Sequence, residues 1–114
     1  MPLARHGSRS LEIGQIAVDT DVDGRVASLR LAGELDIKTV DALVKALDDL
    51  FDRDLEAICI DGRDLGFVDS AGLRAIVLGL VRASDHGIRY EVSHASEPFD
   101  RVLAITGLAD ALGR

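Results

Sequence analysis

The spacing of apolar residues changes several times along the chain, and each change marks an element. From Leu11 to Asp19 the apolar positions are first odd (Leu11, Ile13) and then even (Ile16, Val18), which predicts one strand with a bulge at Gly14. Met1 to Ser10 has neither strand nor helix period and is punctuated by Gly7, Ser8 and Ser10, so it reads as a flexible tail before a single domain over residues 11–114. Asp23-Gly24 is a hairpin turn signal, and Ala27, Leu29 and Leu31 then alternate with Ser28 and Arg30 in a half-buried second strand. Gly33-Glu34-Leu35-Asp36 reads as a polar loop. Val40, Leu43, Val44, Leu47, Leu50 and Phe51 follow at i, i+3, i+4, i+7 spacing, the stripe of an amphipathic helix with Asp36 or Thr39 to cap its start. Ala57 to Asp61 is apolar on both faces, which predicts a central strand with a layer on each side.

The stretch Phe67-Val68-Asp69-Ser70-Ala71-Gly72-Leu73 joins that strand to a second helix, Ser70 to Ser84, with Leu73, Ile76, Val77 and Leu80 on one face. Ala71, Arg74, Ala75 and Leu78 share a different, mixed face, and helical geometry sets Ser70 at its N-terminal edge. The first N–H groups of a helix have no intrahelical partner and its dipole is positive there, so an oxygen at Ser70 is stabilised both as a neutral cap and as a phosphate. Asp85-His86-Gly87 ends the helix. Ile88, Tyr90 and Val92 alternate in a fourth strand, and Ser96-Glu97-Pro98 opens a third helix with the stripe Phe99, Val102, Leu103 and a closing Gly107. The order β-β-α-β-α-β-α gives helix-length crossovers between the later strands, hence an α/β domain with a mixed sheet.

Composition narrows the chemistry. The net charge of −7 repels phosphate backbones, so nucleic acid is not an expected partner, and no apolar run approaches the roughly 20 residues that span a bilayer. Cys59, the one cysteine, lies in the apolar run Ala57–Ile60 and reads as a buried core thiol; without a disulfide or a signal peptide, the expected location is cytoplasmic. A hydrolase nucleophile elbow needs glycine two residues before and two after its serine; Gly72 satisfies the second, but Val68 occupies the first. No phosphate-cradling loop and no zinc spacing occur, and Asp61, Asp64 and Asp69 lack calcium-loop spacing, so the reading has no catalytic residue, metal or cofactor.

Asp61 to Leu73 resembles the signature of STAS domains, named for sulfate transporters and anti-sigma factor antagonists: an apolar strand, an Asp, a loop with an aromatic, then Val-Asp-Ser-Ala-Gly-Leu. Leu31-Ala32-Gly33-Glu34-Leu35-Asp36 is similar to the family's Gly-Glu-Leu-Asp loop, and Pro98, Arg101, Leu103, Thr106, Gly107 and Leu108 to its third helix. The resemblance implies a STAS-like mixed sheet with helices packed against it. It also implies a C-terminal strand and helix that are shortened or absent here, because only residues 109–114 follow the Gly-Leu pair. By this resemblance to small bacterial members, the chain is a binding module rather than an enzyme, an anti-sigma factor antagonist. Its unphosphorylated form binds an anti-sigma factor and so releases a sigma factor. The anti-sigma serine kinase phosphorylates Ser70 with ATP to switch binding off, and a serine phosphatase is a further possible partner. Asp36 and Asp69 match the family's aspartates, and with Ala71, Gly72, Arg74, Ala75 and Leu78 they form the expected partner surface. The alternative that the family offers is a constitutive adaptor docking the ATPase of an ABC-type lipid transporter.

Overall fold

The computed structural model describes residues 6–13 and 15–114, with side chains from Gln15 onward. Its elements are β1 (His6–Ile13), β2 (Ile16–Asp23), β3 (Val26–Leu35), α1 (Val40–Phe51), β4 (Ala57–Val68), α2 (Ser70–Asp85), β5 (Arg89–Ala95) and α3 (Glu97–Thr106), followed by a 3-10 turn, Asp110–Leu112. The five strands lie in sequence order in one sheet. β1, β2 and β3 pair antiparallel through short connections, whereas β3, β4 and β5 pair parallel because α1 and α2 carry the chain back between them. The result is the mixed α/β sheet expected from the apolar pattern. After α3, which Gly107 closes in a left-handed conformation (φ 74°), only the 3-10 turn follows.

The first strand differs from its expected form. The change of apolar phase after Ile13 is a reversal of the chain: residues 6–13 pair back on 16–23, so the strand expected at Leu11–Asp19 is the junction of two. Residues 6–10, expected in the tail, belong to β1. Both Gly14, where a bulge was expected, and residues 1–5 lie outside the described residues. Irregular register occurs instead between β3 and β4, around Arg30–Ala32 and Gly33–Glu34, and between β4 and β5 at Ile60–Asp61.

One sheet face builds the core. Ala27, Leu29 and Leu31 of β3, Ile58 and Ile60 of β4, and Tyr90 and Val92 of β5 are buried with Leu43, Leu47 and Leu50 of α1, Ile76 of α2, and Phe99 and Leu103 of α3. Of the stripe that its sequence suggests, α2 buries Ile76 fully and packs Leu73 and Leu80 against the core half-buried. Gly72, Ala75, Ile76, Gly79 and Ala83 face inward, small residues that let the helix lie close to the sheet; the Tyr90 hydroxyl sits under Gly79 and donates to the Ile76 carbonyl at 2.9 Å. Burial pushes the Tyr90 pKa up.

The other sheet face is not the second packed layer expected for β4. Ser28, Arg30, Cys59, Asp61 and Ser93 line an open depression of about 450 Å³ with Asp19, Thr20, Asp21 and His94. Cys59 is therefore half-buried on this polar face, not in the core, 3.9 Å from a Glu91 carboxylate oxygen. Burial, and then the negative charge of Glu91, push its pKa up, so it is not a reactive thiolate. The acids grouped in sequence separate: Asp64 pairs with Arg30 at 2.8 Å, Asp61 with Arg63 at 2.9 Å, and Asp69 belongs to a helix cap. Among the described residues no group of acids, histidines and cysteine is arranged to hold a metal ion.

Candidate functional site

β3 and β4 run further than their apolar segments suggest, to Leu35 and Val68, and these two residues are register partners at the carboxyl ends of parallel strands. Ends of this kind are where open α/β sheets present their functional groups. Both chains leave the sheet side by side here. Asp36 begins the loop into α1, and Asp69 begins α2.

Asp69 ties the two exits together. It is the N-cap of α2 in extended conformation, and its Oδ1 accepts from the Gly72 N–H at 2.9 Å while its Oδ2 accepts from the Ile37 N–H at 3.2 Å. Its own N–H donates to the Leu35 carbonyl at 3.1 Å. Asp36 works within its loop, where Oδ1 accepts from the N–H groups of Lys38 and Thr39 at 2.9 and 3.1 Å. Thr39 occupies the N-cap position of α1, but its hydroxyl donates to the Glu34 carbonyl at 2.7 Å instead of capping the helix. Gly72 is required for the close approach: a Cβ there would lie 2.6 Å from Leu35 Cγ and 2.8 Å from the Leu35 carbonyl oxygen.

Ser70 follows as the first residue of the helix. It is exposed, and its hydroxyl has no hydrogen-bond partner among the described residues. The capping role open to it in the sequence is filled by Asp69, one residue earlier. Capping therefore gives no account of a hydroxyl at position 70. The two segments that meet here carry exposed apolar side chains that sequence reasoning did not select, Ile37 at 73% and Phe67 at 48% of full exposure. An isoleucine between Asp36 and Lys38 in a polar loop was the available signal for the first.

The expected surface residues divide. Ala71, Arg74, Ala75 and Leu78 line a groove of about 380 Å³ between α1 and α2, opposite Val40, Val44, Leu47 and Phe51. Leu78 is 54% exposed, whereas Ala75 is buried in the groove floor. Gly72 is buried against Leu35 and lies outside the groove lining, so its part is packing. Asp36 and Asp69 are half-buried at the loop junction beside it. The α1 side of the groove was missed because Val44 and Phe51 fit the buried stripe of an amphipathic helix equally well. At the far end Arg82 pairs with Asp48 at 2.5 Å and lies 4.6 Å over the Phe51 ring.

This arrangement defines a small sheet-and-helix domain that offers an unbonded hydroxyl at a helix start and an apolar groove beside it. Its sequence matches the family model described as Mlab, STAS domain, over residues 18–113, and the chain belongs to the STAS domain family. Solved structures agree on the fold. The anti-sigma factor antagonist SpoIIAA in its unphosphorylated form is 19% identical with a TM-score of 0.67, the match covering 91% of this chain and 84% of that one. An anti-sigma factor antagonist from Mycobacterium paratuberculosis is 20% identical over 90% of this chain and 88% of its own, with a TM-score of 0.75. The Bacillus cell fate determinant SpoIIAA in its phosphorylated form is 17% identical over 91% and 86%, with a TM-score of 0.63. No curated protein matches the sequence. No helix among the described residues is long and apolar enough to cross a membrane.

Proposed function

We propose that this chain is an anti-sigma factor antagonist switched by phosphorylation of Ser70. Unmodified, it binds an anti-sigma factor through the α2 start and the adjoining groove, and so releases a sigma factor. The observation that carries this reading is the exposed, unbonded Ser70 hydroxyl on a helix already capped by Asp69. The chain is the substrate and the anti-sigma factor the kinase. Ser70 Oγ attacks the γ-phosphorus of kinase-bound ATP, the bond from that phosphorus to the β–γ bridging oxygen breaks, ADP leaves, and the hydroxyl proton passes to a base of the kinase. A serine phosphatase reverses the state by hydrolysis.

The added charge is about −1.5 to −2 at neutral pH. The helix start offsets it by about 1 kcal/mol, so the domain stays folded. A partner that had accepted a neutral hydroxyl instead meets a dianion beside Asp36 and Asp69, and a coupling of roughly 1 to 3 kcal/mol weakens association about 5- to 150-fold.

The α1–α2 groove favours a second reading, a constitutive STAS adaptor of a transporter ATPase, because its lining lies outside the hydroxyl itself. Both are tested by capture from native cell lysate with wild-type, Ser70→Ala and Ser70→Asp baits, with phosphopeptide mapping of the wild type. An ATPase-type serine kinase held by Ser70→Ala and lost with Ser70→Asp, with phosphate on Ser70, is the expected result. Transporter subunits held equally by all three baits would replace the switch with the adaptor.

A further inference from the structure

Ser70 and Arg74 are four residues apart on α2, the spacing that brings side chains together on one helix face. Arg74 is exposed, lines the α1–α2 groove, and makes no hydrogen bond or ion pair among the described residues. The other charges of the groove are committed: Arg82 to Asp48 and to the Phe51 ring. Asp36 and Asp69 at the helix start have oxygens turned to backbone N–H groups, and their negative charge opposes a further anion there. A phosphate on Ser70 is partly offset by the helix start, which supplies only partial charges, and gains further from a full cation nearby.

We propose that Arg74 receives the phosphate placed on Ser70 and is drawn away from the α1–α2 groove, so that modification of the helix start also removes the groove's uncommitted cation. The inference rests on the reading of Ser70 as a phosphorylated residue and names how that site is coupled to the docking surface. A guanidinium offers two parallel N–H donors to phosphate oxygens, a geometry that a lysine ammonium does not reproduce. The unmodified protein then presents Arg74 beside an apolar floor, a surface that selects a partner segment with an apolar ridge and an acidic residue. The phosphorylated protein presents the floor without the cation. Lys38, exposed on the loop into α1, is the competing cation near the site.

The test uses the full chain with phosphoserine installed at position 70 during synthesis, which makes it independent of any kinase. Phosphorus NMR titration follows the second phosphate pKa, and methyl NMR follows Val40, Ala71 and Leu78 in the groove. With Arg74→Gln the phosphate pKa rises by about 0.15 to 0.4 units, because an opposite charge that stabilised the dianion is gone. Installing phosphoserine shifts the groove methyls in the protein carrying Arg74, and those shifts are lost with Arg74→Gln. Equal phosphate pKa values with Arg74 and with Gln, or a rise produced by Lys38→Gln in place of Arg74→Gln, would overturn the proposal. Failure of the pair leaves kinase action on Ser70 standing. Absence of phosphate from Ser70 throughout the wild-type protein in the phosphopeptide map, in contrast, removes the switch and leaves the chemical measurement intact.

Discussion

Two helices of this domain begin beside a serine, and the two hydroxyls have different fates. At α3, Ser96 is the N-cap: its Oγ accepts from the Phe99 N–H at 3.3 Å, and Phe99 is fully buried against Gly62. At α2 the cap is Asp69, and Ser70, one residue further on, is exposed with no bond to its hydroxyl among the described residues. A side chain just outside a helix turns back onto the first N–H groups, whereas one just inside projects from the cylinder. A shift of one position separates a hydroxyl committed to structure from one left available to chemistry.

The contrast is open to measurement, beginning with the largest effect. Phe99→Ala removes the ring that the α3 start delivers to the core and is expected to destabilise the domain by about 3 to 5 kcal/mol, read as a lower urea midpoint. Asp69→Ala removes the α2 cap and the tie to the Ile37 N–H together, for about 1 to 2 kcal/mol, with faster amide exchange at both Gly72 and Ile37. Ser96→Ala loses a single cap and is expected to cost about 1 kcal/mol, a fall in Tm of roughly 4 to 8 °C. Ser70→Ala leaves stability within about 0.5 kcal/mol of the parent in the same urea titration. A loss at position 70 as large as that at position 96 would make the two serines equivalent and return Ser70 to a structural role.

The two faces of β4 show how far periodicity reaches. Ile58 and Ile60 are buried as their apolar character demands, but Cys59 between them faces the open polar side with Glu91. A short apolar run does not reveal whether both faces are covered, because that depends on where the crossover helices lie. In α2 the expected stripe does reach the core through Ile76, Leu73 and Leu80, but the other buried positions are small residues, with Tyr90 reaching up beneath Gly79. The phase change after Ile13 was visible as a change of face, but a bulge and a chain reversal leave the same local trace.

What the sequence determined by itself was the α/β order from the second expected strand onward, the helix starts, and the junction Asp69-Ser70 at the exit from a strand, since these depend on local periodicity and on caps within a few residues. It also placed Ala71, Arg74, Ala75 and Leu78 on one mixed face, because helical geometry alone fixes that. Tertiary structure decided the rest. Leu35 and Val68 became register partners, which brought the loop of Asp36 and Ile37 to the start of α2 across more than 30 residues of sequence. It gave the cap to Asp69 and made a groove of the mixed face by setting Val44 and Phe51 of α1 against it. Contacts between distant segments depend on how the strands register and the helices pack, and no local pattern encodes either.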